Sequence, residues 1–309
     1  MTDHRLKLTG LDGGNPLAFL AALGTLRALT RAWPDDCVRM AWTRRAGWRP
    51  VLCTAGSRSH DDVCRDLLAQ VQTVKDHPTL HLADDLTIPP NDFRRHLVDQ
   101  VALAHRAFSA DPTEYGAAFG CDGIGDDDKI ADTALRTMSG AGHQHFLATM
   151  RLVLETATAE QLSKAIFEHW RYDDPLEKLS LRFDPRDDKR YALRWDNPSG
   201  DPARKKRGNM IGANALAVLG LPLLPTAPRQ GKLETTGFRG RRSQDCCWTW
   251  PVWECAAPLD VVRSLLAMEE LQQPIPPRDR LAAMGIVEVY RSQRMTVNKF
   301  RSFAPAQPV

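Results

Sequence analysis

The chain has 309 residues, 43% of them hydrophobic and 26% charged, with a formal net charge of +3. A chain of this size hides roughly three quarters of its unfolded surface, so a proper core is available. The composition excludes collagen-like, mucin-like and wholly disordered classes. Seven cysteines, an odd number without paired C-x-x-C spacing, read as a reduced, cytoplasmic chain. The apolar runs at 16–26 and 213–224 fall short of the roughly 18 residues that a membrane helix needs, so no membrane partner is expected.

In chain order, Leu6, Leu8 and Leu11 between charged residues suggest a first strand, followed by the turn Asp12-Gly13-Gly14-Asn15. Pro16 stands at a plausible first helical position, and a helix is expected over 16–32. Arg5 and Lys7 ahead of this run imitate a signal peptide, but the apolar stretch starts late and Arg27 follows it directly, so it reads as the first helix of the fold. Val38, Met40 and Trp42 alternate with Arg39 and Ala41, and residues 48–53 read as the return strand of a hairpin. Ser59 is placed to cap a helix that runs through Lys75, and a short strand is expected at 79–82. The order β-α-β-β-α-β is the split βαβ arrangement of ferredoxin-like domains, with four antiparallel strands and both helices on one face.

From 89 to about 170 the pattern reads as all-helical, with Phe93, Leu97, Val101 and Ala104 on one face and Phe146, Met150, Val153 and Leu154 on another. Further on, strands are expected at 191–195, 233–238, 246–253 and 287–297, and helices near 209–219 and 259–268. The fold class is therefore α+β: a ferredoxin-like α/β unit at 1–88, a helical region at 89–175 and a basic mixed α+β region at 176–309.

Charge is uneven along the chain. Between Arg186 and Arg242 there are thirteen Lys or Arg against five acids, a local excess of eight. This segment holds Arg204, Lys205, Lys206 and Arg207, then Arg239, Arg241 and Arg242, with Trp195, Phe238, Trp248 and Trp250 nearby in sequence. Basic groups beside aromatic platforms are what phosphate neutralisation and base stacking require. The same charges also suit an ordinary solvated face.

Three other groups deserve weighing. Ser139, Gly140 and Gly142, followed by His143, form a glycine-rich turn at an expected helix start, where backbone N–H groups can face a phosphate. His143 and His145, two apart, point about 200° from each other on a helix and make a poor metal pair. Asp122, Asp126, Asp127, Asp128 and Asp132 form an acidic loop without EF-hand spacing. Cys246, Cys247 and Cys255 lack a fourth zinc ligand, and Trp248 and Trp250 fall on one face of their strand, which suits a core. No nucleophile elbow, Walker loop or zinc-protease motif occurs, so no catalytic residue, metal or cofactor is assigned.

Leu8-Thr9-Gly10-Leu11 followed by Asn15-Pro16-Leu17-Ala18-Phe19-Leu20-Ala21-Ala22-Leu23-Gly24-Thr25-Leu26-Arg27 resembles the opening of large-subunit-type proteins from type I-G (formerly I-U) CRISPR effector complexes. A second likeness lies at Phe119-Gly120-Cys121-Asp122-Gly123 and Asp128-Lys129-Ile130-Ala131-Asp132-Thr133, similar to a glycine-rich segment of that family. The main large subunits are longer, so the resemblance implies a compact large subunit or an accessory partner of the helicase-nuclease. It implies a non-catalytic antiviral role: contact with guide RNA, target DNA and neighbouring effector subunits, while base pairing supplies sequence specificity. The phosphate contacts would then be Arg204, Lys205, Lys206, Arg207, Arg239, Arg241 and Arg242, with Asn15 and the turn at Ser139, Gly140 and Gly142 as weaker candidates. The rival classes are a metal-dependent phosphodiesterase or nucleotide-processing enzyme built on Asp122, Asp126, Asp128 and His143, and a protein-only partner.

Overall fold

The structure is a computed structural model that describes residues 4–126, 128–138, 140, 145–175, 179–187, 208–240, 245–297 and 300–309. It is mixed α+β, with helices packed between and beside several small antiparallel sheets. Strand β1 (His4–Lys7) leads through the Asp12 turn into helix α1 (Pro16–Ala32), whose start is fixed by Asn15: its side chain accepts from the Ala18 amide at 3.0 Å, and Pro16 follows. The hairpin β2 (Arg39–Arg44) and β3 (Trp48–Thr54) comes next. Helix α2 (His60–Lys75) opens on a reciprocal capping box between Ser59 and Asp62. In the sheet, β3 lies between β1 and β2 and is antiparallel to both, a split βαβ unit as expected.

The expected fourth strand at 79–82 is not there. Pro78 cannot donate to a ladder, and the His77 ring accepts from the Thr79 amide at 3.2 Å, so Pro78–His81 closes as a 3-10 turn. Among the described residues the place beside β1 where that strand would lie is not filled; the sheet instead gains a strand at its opposite edge, β10 (Ala257–Pro258) from far along the chain, which pairs with Met40 and Arg39 on β2. Nearby, the Trp253 indole donates to the Met40 carbonyl at 2.7 Å.

The middle is helical only in part. Helices α3 (Pro90–Ala107) and α4 (Asp111–Phe119) are followed by a hairpin, β4 (Gly120–Asp126) and β5 (Lys129–Asp132), before α5 (Phe146–Thr156) and α6 (Ala159–Phe167). An all-α middle is therefore corrected: the acidic, glycine-punctuated stretch is a bulged hairpin, and its irregular register between Cys121 and Gly125 hides the strand period. Phe93 is buried as read, but Val101 on the same helix is 46% exposed.

Helix α7 (Ile211–Gly220) and α1 form the central pair; α7 is buried at every residue and α1 from Pro16 to Leu29. Their backbones touch where a methyl group on Gly24 would collide with the Leu216 carbonyl, and one on Gly220 with that of Leu20. Beyond α7 lie the hairpin β6 (Thr226–Arg229) and β7 (Lys232–Thr235), then β8 (Phe238–Arg239) and β9 (Cys247–Trp253). Helices α8 (Leu259–Leu266) and α9 (Arg278–Ala283) lead to β11 (Ile286–Val297), β12 (Phe300–Phe303) and β13 (Gln307–Pro308). The second sheet runs β12-β11-β9-β8, with β13 paired to β11. Its aromatic face meets α1: Phe19 lies 5.5 Å from Trp250 and 5.9 Å from Trp248 between ring centroids, and 5.7 Å from Trp42 of the first sheet. Trp248 and Trp250 are fully buried, so they are core and not base-stacking platforms. Among the described residues, no helix is long and apolar enough to cross a membrane.

Candidate functional site

The end of the second sheet gathers arginines that lie far apart in sequence. On β11 and β12, Arg294 pairs across from Phe303 and Thr296 from Arg301, so side-chain alternation puts Arg294, Arg301 and Phe303 on one face. Phe303 belongs to the core, 5.9 Å from Trp248, which leaves the two guanidiniums half-buried at the margin of that aromatic face. Arg294 donates to the Ala134 carbonyl at 2.7 Å, and its Nε is buried without a partner. Arg301 donates to the Arg136 carbonyl at 3.3 Å. Neither has a carboxylate within ion-pair distance among the described residues. Burial first, and then the charge of Arg294, push the Arg301 pKa below its ordinary value.

Arg136 beside them is differently placed. It reaches Asp85 at 2.6 Å and also Asp132, and donates to the Met138 carbonyl at 2.8 Å. Burial would lower its pKa, but the two carboxylates reverse that and raise it. Arg136 is thus neutralised, whereas Arg294 and Arg301 are two like charges in a partly desolvated place, an arrangement that an incoming anion relieves.

Several of the stretches singled out from sequence adjoin this place. Gly140 of the glycine-rich turn lies against Asp85, with φ of +80°, four residues on from Arg136. Thr137 donates to the Leu181 carbonyl at 2.7 Å, tying this turn to the stretch 179–187. Phe183 lies 6.1 Å from Phe303, and the turn Pro185–Asp187 packs on β12. Gly208, where the described residues resume, packs against the Tyr172 carbonyl. Ser139, Gly142, His143, Arg204, Lys205, Lys206, Arg207, Arg241 and Arg242, with the strand expected at 191–195, lie outside the described residues. Arg239 is described: it is exposed and pairs across from Cys247, which pairs with Gln293. That register puts Arg239 on the opposite face of the sheet from Arg294 and Arg301.

The carboxylates of the acidic hairpin do not converge. Asp122 pairs with Arg94 at 2.6 Å, Asp132 with Arg136, and Asp128 is exposed. Among the described residues, no group of three or more His, Cys, Asp or Glu is placed to hold a metal ion. Cys246 is buried, and burial raises its thiol pKa, which makes it a poor nucleophile. Arg294 and Arg301 escaped the sequence reading because they lie outside the charge-dense segment; the available signal was Arg301 two residues before Phe303, on the same side of a short strand. Comparison of the chain with models of protein families, with curated proteins and with solved structures finds no match.

Proposed function

We propose that the protein binds nucleic acid through backbone phosphates, with Arg294 and Arg301 at the centre and the basic run Arg204, Lys205, Lys206 and Arg207, together with Arg239, Arg241 and Arg242, as further contacts. The observation that carries the reading is the pair of half-buried guanidiniums without a carboxylate among the described residues, with the turn Pro185–Asp187 packed on the same strand β12. Phosphate oxygens satisfy guanidinium forks in the geometry that carboxylates do, and they carry no base information. Together with the sequence resemblance, this supports reading the protein as a non-catalytic subunit of a type I CRISPR effector complex, one that would touch guide RNA or target DNA and its neighbouring subunits.

The test is a fluorescence-anisotropy titration on single-stranded and duplex oligonucleotides at several salt concentrations. Each lost phosphate contact flattens the log–log salt slope by about 0.9 on duplex DNA and about 0.7 on single strands. Changing residues 204–207 to Ala is expected to flatten it by a few such steps with sequence preference unchanged. An unchanged slope with intact folding would show that this run meets no phosphate. The complex-level claim is checked by co-expression: guide RNA and effector subunits should co-purify with the wild-type chain.

A further inference from the structure

We infer a second anion site, a cleft of about 320 Å³ at the start of α1, built to take a phosphate monoester such as that of a nucleotide or a strand end. Its walls come from the Asp12 turn with Asn15, from Arg49 on β3, from the stretch carrying Trp170 and Tyr172, and from Arg186. The volume lies at the small end of ligand sites, fitting one small molecule and not a length of strand.

The lining has more donors than acceptors. Arg186 stacks its guanidinium 3.7 Å above the Tyr172 ring and has no carboxylate within ion-pair distance among the described residues. Asn15 spends its carbonyl oxygen on the Ala18 amide, and its side-chain NH₂ has no acceptor among the described residues. Arg49 is held in place by the Leu11 and Ala46 carbonyls, both at 3.0 Å, with Asp12 at 3.5 Å. Asp12 is the one acid in the lining, and it also accepts from the Gly14 amide at 2.9 Å. No acidic side chain sits in the first turn of α1, so the positive end of that 17-residue helix meets the cleft with the Asn15 cap and Asp12 beside it. Two cations and a free amide donor against one carboxylate favour a dianion over a neutral ligand.

Tyr172 holds φ of +58°, a left-handed conformation rarely adopted by a bulky residue. Its hydroxyl donates to Asp184 at 3.0 Å, which fixes the ring beneath Arg186. The inference does not rest on the strand-binding role of Arg294 and Arg301.

The test uses the full chain with four probes: a nucleoside monophosphate, its parent nucleoside, and one short oligonucleotide carrying either a 5′-phosphate or a 5′-hydroxyl. Calorimetric binding of the monophosphate but not the nucleoside, or about tenfold tighter binding of the 5′-phosphorylated strand, supports the site and tells a free nucleotide from a strand end. Arg186→Gln is expected to abolish the discrimination. Asn15→Ser keeps an oxygen to cap Ala18 while removing the amide donors, so it should weaken phosphate binding several-fold in a folded protein. No discrimination by the wild type, or full discrimination by Arg186→Gln, overturns the inference. Internal phosphates are common to both oligonucleotides, so the salt-dependent binding of the 5′-hydroxyl strand succeeds or fails separately.

Discussion

Arg136, Arg294 and Arg301 share one neighbourhood and one side-chain chemistry, yet their partners give them opposite energetic signs. Arg136 is 7% exposed and holds Asp85, itself 9% exposed, at 2.6 Å. Removing one member of a buried ion pair leaves an uncompensated charge, which costs about 3–5 kcal/mol. Arg136→Met should therefore lower the urea midpoint sharply. Arg301→Gln removes a repelled cation and one long hydrogen bond, so the nucleic-acid-free protein should lose less than about 1 kcal/mol or gain slightly. Urea melts of the two variants side by side check this, and a large loss in Arg301→Gln would mark that side chain as structural.

Among elements, the 3-10 turn at Pro78–His81 shows how one residue can divert a strand and add a pH dependence. His77 packs 4.8 Å from the Tyr115 ring, and burial, reinforced by Arg27, His96 and Arg31, lowers its pKa to about 4 against the hydrogen bond to the Asp111 carbonyl. The unfolded chain then binds a proton that the folded chain refuses, so stability is full above about pH 6.5 and falls as pH drops toward 4. The partly exposed ring makes this a loss of about 1–3 kcal/mol. Glu114 adds an acid-side loss of its own: burial would raise its pKa, but Arg27 and Arg31 hold it low, so its contribution fades only as pH falls through that depressed value. His77→Asn, which keeps an acceptor for the Thr79 amide, should flatten the stability curve between pH 6.5 and 4; urea midpoints across that range measure it. The elements legible in sequence were those with their own local signal: α1 with Asn15 and Pro16, α2 with its Ser59 box, the alternating hairpin β2–β3, and the tryptophan strand β9. Those that were not legible depend on distant partners. Ala257–Pro258 is a strand only because Arg39 and Met40 offer an edge, and β4 reads as a loop because three glycines replace the alternating apolar side.

At the scale of the whole molecule, chain crossings bring together what the sequence keeps apart. Residues 134–138, 179–187 and the β11–β12 pair meet through the hydrogen bonds of Ala134, Thr137 and Arg136 to side chains and carbonyls more than forty positions away. The charge-dense segment predicted a basic surface, but the two half-buried arginines without a carboxylate among the described residues, Arg294 and Arg301, lie outside that segment. Asp122 and Asp132, grouped in sequence, are drawn to different arginines, Arg94 and Arg136. The most direct measurement is the salt dependence of single-stranded DNA binding by Arg294→Gln/Arg301→Gln against wild type, at matched folding by circular dichroism. A slope reduced by about 1.4, with unchanged sequence preference, is expected if each guanidinium meets one phosphate. Equal slopes and equal affinities at every salt concentration would contradict the phosphate-binding role of this pair.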